Sequence, residues 1–354
     1  MTIDERVWGS GEFAVPDGYL NTPSVGIPPA HVAHAVADAV GRWQRGGDKP
    51  GDFDEAVALS RQGFAGLIGV PASRVAIGAS VSQLLAVVAA GLPDGAKVLA
   101  VSGEFTSTTF PFAAQGHRGV TVTEVDLAGL PAAVPGHDLV VVSVVQSANG
   151  ATVGLDALRA AAEAAGVPVA LDVSQAAGWM PLRLDWADWV VAAGYKWLLS
   201  PRGSAWLAVH PRVLDRGAPV AAGWYAGEDP WQTLYGMPLR LAGGARRYDL
   251  SPVWLAQVGA SVALPYLASL DLAEVRAHCV KLADALLAGL GLPARGTAIV
   301  SVEADPGHLA AAGISASARA GKARLGFHLY NTLGDVERVL SALGQPVQYR
   351  GRPC

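Results

Sequence analysis

The chain has 354 residues, 51% hydrophobic and only 16% charged, so it can bury a large core and has room for one large domain and a smaller one. Its net charge of −4, with no basic run, gives no reason to expect a nucleic-acid partner. The acidic start lacks the apolar segment of a signal peptide, and no stretch approaches the ~18 unbroken apolar residues of a membrane helix. We therefore expect a cytoplasmic protein with no membrane partner.

Helix-like and strand-like segments alternate from about residue 35 to residue 215. This alternation predicts a mainly parallel sheet with helices on both faces. Apolar runs bounded by turn residues mark the strands. The predicted helices are 54–68, 81–91 and 155–166, and the predicted strands are 97–102, 120–125, 138–145, 167–172 and 189–194, with Ala205–Val209 as a further edge strand.

The rest of the chain indicates a long loop, a linking helix and a small α/β domain. Residues 217–250 are rich in Gly, Trp, Tyr and Arg without periodicity, which is typical of a functional loop. Trp254–Leu290 is predicted to be helical and broken near Pro265. The small domain is predicted from strand 298–303, helix 306–312, strand 322–327 and helix 333–343. The predicted divisions are an N-terminal segment packing near the small domain (1–34), a large domain (35–250), and the linking helix with the small domain (251–354).

Cysteine and histidine do not indicate a metal site. The two cysteines, Cys279 and Cys354, form neither a disulfide framework nor a CxxC pair. His31 and His34 have a spacing that can bind metal on a helix, but no carboxylate or cysteine stands near them in sequence. We expect no metal.

Two charged residues follow strongly apolar strands. Asp172 ends the run 167–172, and Lys196 comes just after 189–194. Charges past such strands point into the crevice where open α/β sheets bind ligands. Pyridoxal 5′-phosphate (PLP) needs this pair: a lysine amine to hold it as a Schiff base and an acid to keep its ring nitrogen protonated. The alternatives are a solvated surface lysine and an aspartate that caps a helix.

Three further positions could complete a PLP site. Ser80 lies between a short apolar strand and a helix, where backbone amides and a hydroxyl can cradle an anion, although serine also commonly caps helices. Phe105 could stack on the pyridine ring or simply pack in the core. Ser147, at another strand end, could face the substrate or the phenolic oxygen of the cofactor, and Asn149 reads as part of a plain turn.

Other polar residues suit the remaining groups of a cofactor and substrate. Gln175 can donate a hydrogen bond to O3′ of the cofactor. The Tyr195 hydroxyl could reach its phosphate, on the side opposite Lys196 if the strand geometry persists. Arg324 has the planar guanidinium that captures a carboxylate, although a lone arginine in a strand is more often an exposed charge.

These motifs resemble those of one family. The runs 171–178, 184–188 and 194–203, with the later run 324–332, are similar to the signature of the class V aminotransferase-like family of PLP-dependent fold type I enzymes. The resemblance extends from about residue 19 to residue 343. It implies a large domain with a mainly parallel, seven-stranded sheet covered by helices, plus a small C-terminal α/β domain.

The resemblance also implies roles for individual residues. Lys196 matches the Schiff-base lysine, Asp172 the pyridinium partner and Gln175 the O3′ donor. The other matching positions are Ser80 and Tyr195 toward the phosphate, Trp224 near a kynureninase tryptophan, Arg324 on the substrate α-carboxylate, and Ser251 reaching the phosphate of the other subunit. A homodimer with its active sites at the subunit interface is therefore expected.

Departures from the cysteine desulfurases of this family narrow the expected function. The stretch 313–322 has no cysteine where desulfurases carry their nucleophile, so a persulfide route lacks its sulfur. Phe105 replaces a ring-stacking histidine, which leaves the acid–base work to Lys196. Ser147 replaces an asparagine. The chain looks closer to isopenicillin N epimerase-like proteins, kynureninases and ergothioneine-pathway C–S lyases, although kynureninases have histidine at the position of Gln175.

The expected function is that of a PLP enzyme on an α-amino acid, with Lys196 removing the α-proton. Amino-group transfer and β-elimination, including cleavage of a carbon–sulfur bond, are ranked nearly equal, and epimerisation third, because all three use the same residues. The non-enzymatic alternative is a PLP-binding regulator. Residues before 35 are too few and not basic enough for the DNA-binding domain that such a regulator usually carries.

Overall fold

A seven-stranded, mostly parallel sheet forms the centre of the larger part of the chain in the computed structural model, which describes residues 12–345. Its strands, in chain order, are β1 Val75–Gly78, β2 Lys97–Val101, β3 Thr121–Val125, β4 Leu139–Ser143, β5 Val169–Asp172, β6 Trp189–Ala193 and β7 Ala205–Val209. They lie in the order β1-β7-β6-β5-β4-β2-β3. Strands β2 to β6 pair in parallel, whereas β7 is antiparallel to both of its neighbours.

Helices cover both faces of this sheet. In chain order the helices are α1 Ala30–Gln44, α2 Asp54–Ile68, α3 Val81–Ala90, α4 Thr106–Ala113, α5 Leu130–Ala133, α6 Leu155–Ala165, α7 Trp254–Ala268, α8 Leu272–Gly289, α9 Pro306–Ala311 and α10 Leu333–Ala342. Successive residues of a strand point to opposite faces, so Val140 and Val142 pack with α2, α6 and α7, and Leu139 and Val141 pack with α3 and α4. The strands are apolar on both sides for this reason, and the predicted fold class is confirmed.

A smaller sheet follows α8. Its strands are β8 Ile299–Val302, β9 Ser317–Arg319 and β10 Lys322–Gly326, in the antiparallel order β8-β10-β9. Leu325 and Ala323 pack into a separate hydrophobic cluster with α8, α9 and α10. Strand β9 and helix α4 were not predicted, because both are short and lack a clear periodicity.

Two predictions about secondary structure are wrong in detail. Ala205–Val209 is not an edge strand, because β1 pairs along its outer side and itself forms the edge. The linking helix also continues through Pro265 for most of another turn, and the break comes at 269–271, where Asp271 caps α8 by accepting from the Ala273 amide at 2.8 Å. Between residues 12 and 345 no single helix is long and apolar enough to cross a membrane, while α7 and α8, bent by 91°, pass that test only as a pair.

The segment before α1 contacts both parts of the molecule. Leu20 forms two backbone hydrogen bonds with the small domain. Its amide donates to Ser315 O at 3.0 Å, and its carbonyl accepts from the Gly326 amide at 2.8 Å. Farther along, the Gly26 amide donates to Tyr195 O at 2.9 Å, beside Lys196. The domain divisions after residues 34 and 250 stay predictions, and the parts of the outer divisions at 1–11 and 346–354, including Cys354, lie outside the described residues.

Gly26 is required by this close approach. A Cβ at residue 26 would overlap the Lys196 carbonyl oxygen and press on Leu199. We expect Gly26→Ala to destabilise the protein by about 1–3 kcal/mol, as overpacking of a tight contact does. Gly66→Ala is the matched control, because a Cβ there, on α2, meets no atom within 4 Å; it should be neutral or stabilise by up to about 1 kcal/mol. Chemical denaturation measures both, and equal midpoints for the two variants would contradict the contact.

Candidate active site

The carboxyl ends of β5 and β6 place the predicted charges at one edge of the large sheet. The two strands are parallel neighbours, with Asp172 paired to Val191. After β6 the chain turns sharply: the Ser200 amide donates to Gly194 O at 3.0 Å, and Leu199 takes a left-handed φ of 51°. That conformation is costly for leucine and persists only where surrounding packing enforces it. The turn holds Lys196 at the mouth of the sheet.

Lys196 is buried among rings and other cations. Its side chain ends 5.2 Å from the centre of the Phe105 ring and 5.6 Å from that of Tyr195. Burial lowers the pKa of Lys196 to about 8, Asp172 partly offsets this, and Arg324 and two further arginines lower it again. The strand geometry does not persist past Ala193, so Tyr195 and Lys196 face the same cavity.

Asp172 is a buried carboxylate held by hydrogen bonds. Thr108, on α4, donates to its Oδ2 at 3.1 Å, and the Ser174 amide donates to its Oδ1 at 2.8 Å. Within residues 12–345 it has no cation within 4 Å. A protonated ring nitrogen would be a suitable partner for such a carboxylate.

Gln175 is engaged within the protein. Its Nε2 donates to Pro23 O at 3.0 Å and to Ser147 Oγ at 3.2 Å, and its Oε1 accepts from Trp197 Nε1 at 2.7 Å. Both amide hydrogens thus have partners, and donation to a cofactor oxygen would replace one of them. Gln175 therefore connects the N-terminal segment, the loop after β4 and the Lys196 turn.

His328 supports the same turn from the small domain. Its Nε2 lies 3.0 Å from Trp197 O, so that nitrogen carries the hydrogen and donates it. Burial lowers the pKa of His328 to about 4, which keeps the imidazole neutral near pH 7. The histidine is thus a structural donor at the Lys196 turn.

Ser80 caps α3 at the amino end of the helix. Its Oγ accepts from the Gln83 amide at 3.4 Å, and Gln83 Oε1 accepts from the Ala79 amide at 3.1 Å. Gln83 Nε2 is buried and has no partner within the described part of the chain. A helix start with a spare amide donor suits an anionic group such as a phosphate.

Arg324 is a buried guanidinium with neutral partners. Nη1 donates to Ser147 O and Oγ at 2.7 and 2.9 Å, Nε to Ser317 Oγ at 3.1 Å, and Nη2 to Ser24 Oγ at 2.8 Å. Only 1% of the residue is exposed, and no carboxylate among residues 12–345 lies within 4 Å. Burial, followed by the charge of Arg319, lowers its pKa to about 10. An anionic ligand would compensate a buried cation of this kind.

One cavity of about 640 Å³ brings half of the predicted site residues together. Ser80, Asp172 and Gln175 do not form part of its lining, and neither do Trp224 and Ser251. The predicted residues that line it are Phe105, Ser147, Tyr195, Lys196 and Arg324.

Trp224 lies within the long loop and Ser251 directly after it, and neither residue lines the cavity. The Trp224 ring lies 5.2 Å from the centres of both Tyr225 and Trp231, and Ser251 is exposed to solvent. The end of the loop is fixed by Asp249, which pairs with the buried Arg61 at 2.8 Å. The roles expected for Trp224 and Ser251 stay predictions.

His31 and His34 are not part of the cavity lining, although Val32 and Ala33 between them are. The ring of His31 packs edge-on against Tyr266, with centres 5.2 Å apart. Between residues 12 and 345, no group of three or more His, Cys, Asp or Glu side chains is arranged to hold a metal ion.

Comparison with known proteins identifies the family. The aminotransferase class-V family matches residues 34–306, well over half of the chain. The chain belongs to this family. The predicted recognition is confirmed, and the protein is a PLP-dependent enzyme of amino-acid chemistry.

Similar proteins in the aminotransferase class-V family differ in their named activities. A kynureninase of Deinococcus radiodurans is 28% identical over 78% of this chain and 72% of its own length. An uncharacterized aminotransferase, YcbU, of Bacillus subtilis is 27% identical over 63% of this chain and 62% of its own. Among solved structures, the cystine C-S lyase C-DES in complex with its product cysteine persulfide has a TM-score of 0.83 at 21% identity, covering 93% of this chain and 97% of that one. At that identity the likeness shows the fold alone.

The side chains of this class-V chain fit PLP. Lys196 offers an amine of lowered pKa, Asp172 a buried carboxylate without a cation, and Gln83 a spare donor at a helix start. These groups would hold the aldehyde, the ring nitrogen and the phosphate, respectively.

One residue that shapes the site was not predicted from the sequence. Glu104 is a buried carboxylate that accepts from the Phe105 amide at 2.9 Å, from the Ser143 amide and hydroxyl at 2.7 and 2.6 Å, and from Gln146 Nε2 at 3.0 Å. It ties the loop that carries Phe105 to the strand end before Ser147. Its position directly before Phe105, past the end of a predicted strand, was the available signal.

The lowered pKa of Lys196 predicts how capture of PLP by the cofactor-free protein depends on pH. Only the neutral amine attacks an aldehyde, so the rate should rise about tenfold per pH unit up to about pH 8 and then level off. Asp172→Asn removes the charge that raises this pKa, so its midpoint should shift to lower pH. Absorbance changes give the rate, and borohydride reduction with peptide mapping locates the adduct. A rate still climbing at pH 10, or an adduct on another lysine, would contradict the assignment.

Proposed function

We propose that this enzyme binds an α-amino acid through Arg324 and uses Lys196 to move the proton on its α-carbon. One observation carries the proposal: a buried arginine with no acidic partner among the described residues lines the same cavity as a buried lysine of lowered pKa. A carboxylate on Arg324 would receive a charge-assisted hydrogen bond and would compensate the buried charge. The α-carbon would then stand on the Lys196 side of the cavity.

The proposed roles follow from the surroundings of each side chain. PLP, when bound, supplies an electron sink for the charge left at the α-carbon. With a pKa of about 8, roughly a tenth of free Lys196 amine is neutral at pH 7 and can accept the α-proton. Phe105 cannot transfer a proton, so its exposed ring can serve only as a packing surface. Asp172 holds a proton on the ring nitrogen, and Thr108 orients the carboxylate that does so.

The reaction we favour is amino-group transfer. Amino-group transfer needs one group that removes a proton and returns it to a neighbouring carbon. Apart from the arginines and Tyr195, Lys196 is the titratable side chain among the described residues that line the cavity. A β-elimination lyase is the second candidate. Tyr195 favours it, because this residue lines the same cavity and a hydroxyl can protonate a leaving group. The described stretch 313–322 holds no cysteine for a persulfide route.

We also propose a cytoplasmic homodimer. Ser251 is exposed, as is expected of a residue that reaches the phosphate of another subunit. The long loop displays large apolar side chains to solvent, with Tyr235 87%, Met237 83% and Leu239 64% exposed. Such a patch on a protein of this size favours burial against a second copy.

Arg324→Gln should separate amino-acid binding from cofactor binding. The variant keeps hydrogen-bonding capacity but loses the charge, so dissociation constants for amino acids should rise roughly 100-fold, about 3 kcal/mol, with PLP content unchanged. Arg276→Gln, on the exposed side of α8, is the matched control and should change neither. Spectral titration of the PLP form measures both. Equal losses of amino acid and PLP in the Arg324 variant would argue against a carboxylate role.

A substrate panel tests the reaction type. Amino acids and cysteine conjugates are incubated with the PLP-loaded enzyme, and the pyridoxamine form of the cofactor, pyruvate, and sulfide or thiol release are scored. Amino-group transfer predicts the pyridoxamine form with a keto acid and no released side chain. Release of pyruvate and thiol without the pyridoxamine form would replace it with the lyase. Lys196→Ala should lower either activity by at least about 1000-fold, as loss of a general base does.

A further inference from the structure

The cavity carries an excess of positive charge. Its lining includes Lys196, Arg202, Arg319 and Arg324 and, within the described residues, no aspartate or glutamate. Arg319 and Arg202 both lower the pKa of Lys196, and Arg319 also lowers that of Arg324, so their charges act on the reacting centre. The α-carboxylate assigned to Arg324 compensates one of these charges. Ser80, at the anion cradle, is not part of the lining.

The β9–β10 hairpin directs Arg319 to the same side as Arg324. Arg324 pairs with Ser317 in register, and alternate residues of a strand share a face, so Ser317, Arg319 and Arg324 point together. The bond from Arg324 Nε to Ser317 Oγ agrees with this arrangement. Ala323, on the other face, packs against the helices of the small domain.

Arg319 is held in place yet keeps most of its donors free. The two residues that follow it, Ala320 and Gly321, both have positive φ, 48° and 76°, which gives a tight two-residue turn. Arg319 Nη1 donates to Ala318 O at 2.6 Å, and no carboxylate of residues 12–345 lies within 4 Å of its guanidinium. Its partner across the turn, Lys322, by contrast forms an ion pair with Glu303 at 2.5 Å.

Arg202 reaches the cavity from the large domain. It follows the Lys196 turn, and its guanidinium lies 5.1 Å from the centre of the Tyr195 ring. A cation over an aromatic face is restrained without losing its charge. The two arginines thus approach one cavity from the two parts of the molecule.

We propose that Arg319, assisted by Arg202, forms a second anion subsite, and that the substrate is an amino acid whose side chain carries its own anionic group. This inference rests on the proposed function, because it assumes that Arg324 takes the α-carboxylate. It narrows the substrates to dicarboxylic amino acids and to cysteine conjugates with an acidic substituent. A planar guanidinium suits a carboxylate in this position.

Ligand pairs that differ only in charge test the subsite. The PLP-loaded enzyme is titrated with glutamate against glutamine, aspartate against asparagine, and S-carboxymethylcysteine against S-carbamoylmethylcysteine, with the dissociation constant read from the cofactor spectrum. The unmodified enzyme should bind the acid of at least one pair at least 10-fold more tightly than its amide. The preference should weaken at high salt, because Arg202 is exposed and Arg319 half-buried.

Substitutions assign the preference to its residues. Arg319→Gln should abolish it while leaving the affinity for the amide nearly unchanged, and Arg202→Gln should reduce it. Lys322→Gln is the matched control: it removes a positive charge from the same hairpin, but one already paired with Glu303, so the preference should survive. No preference in any pair, or equal losses in the Arg319 and Lys322 variants, would overturn the subsite while leaving Arg324 in its role. Failure of every acid and amide to bind would overturn the proposed function together with the subsite.

Discussion

The site depends on two opposite charges buried at the tips of neighbouring parallel strands. Asp172 ends β5, and Lys196 follows β6 on a turn that forces Leu199 into a left-handed conformation. Asp172 raises the pKa of Lys196, yet the two do not form an ion pair within 4 Å. That separation matters for the proposed roles, in which a ring bonded to the amine would also face the carboxylate. Burial keeps the amine partly neutral, and hydrogen bonds from Thr108 and Ser174 hold the acid in place.

Neither part of the molecule completes this site alone. The large sheet supplies Lys196 and Asp172, whereas Arg324 comes from the small sheet and reaches Ser147 in the large domain. The N-terminal segment bridges them, since its Ser24 accepts from Arg324 and its Gly26 lies directly against the Lys196 carbonyl. Binding of a carboxylate at Arg324 would therefore act on the contact between the two parts, and ligand binding should stabilise the folded protein as a whole.

Apolar runs were enough to predict the large sheet and the strands of the smaller one, whereas the roles of Lys196, Asp172 and Arg324 stay predictions. Pairing order was not predictable in the same way. Ala205–Val209 looked like an edge because nothing in its own sequence reveals that the short strand Val75–Gly78 pairs outside it. Glu104 and Arg319 were missed for a related reason: their importance comes from hydrogen-bond partners and a strand register fixed far away in the chain. The family resemblance implied that Gln175 donates to O3′ of the cofactor. The sequence does not reveal that both of its amide hydrogens already form hydrogen bonds within the protein.

A crystal structure of the enzyme grown with PLP tests the central claim most directly. We expect continuous density from Lys196 Nζ to the cofactor, the ring against Phe105, and an oxygen of Asp172 within hydrogen-bonding distance, about 2.7–3.2 Å, of the ring nitrogen. The phosphate should lie at the start of α3, beside Ser80 and Gln83. Density joined to another lysine, or a ring nitrogen facing away from Asp172, would contradict the account.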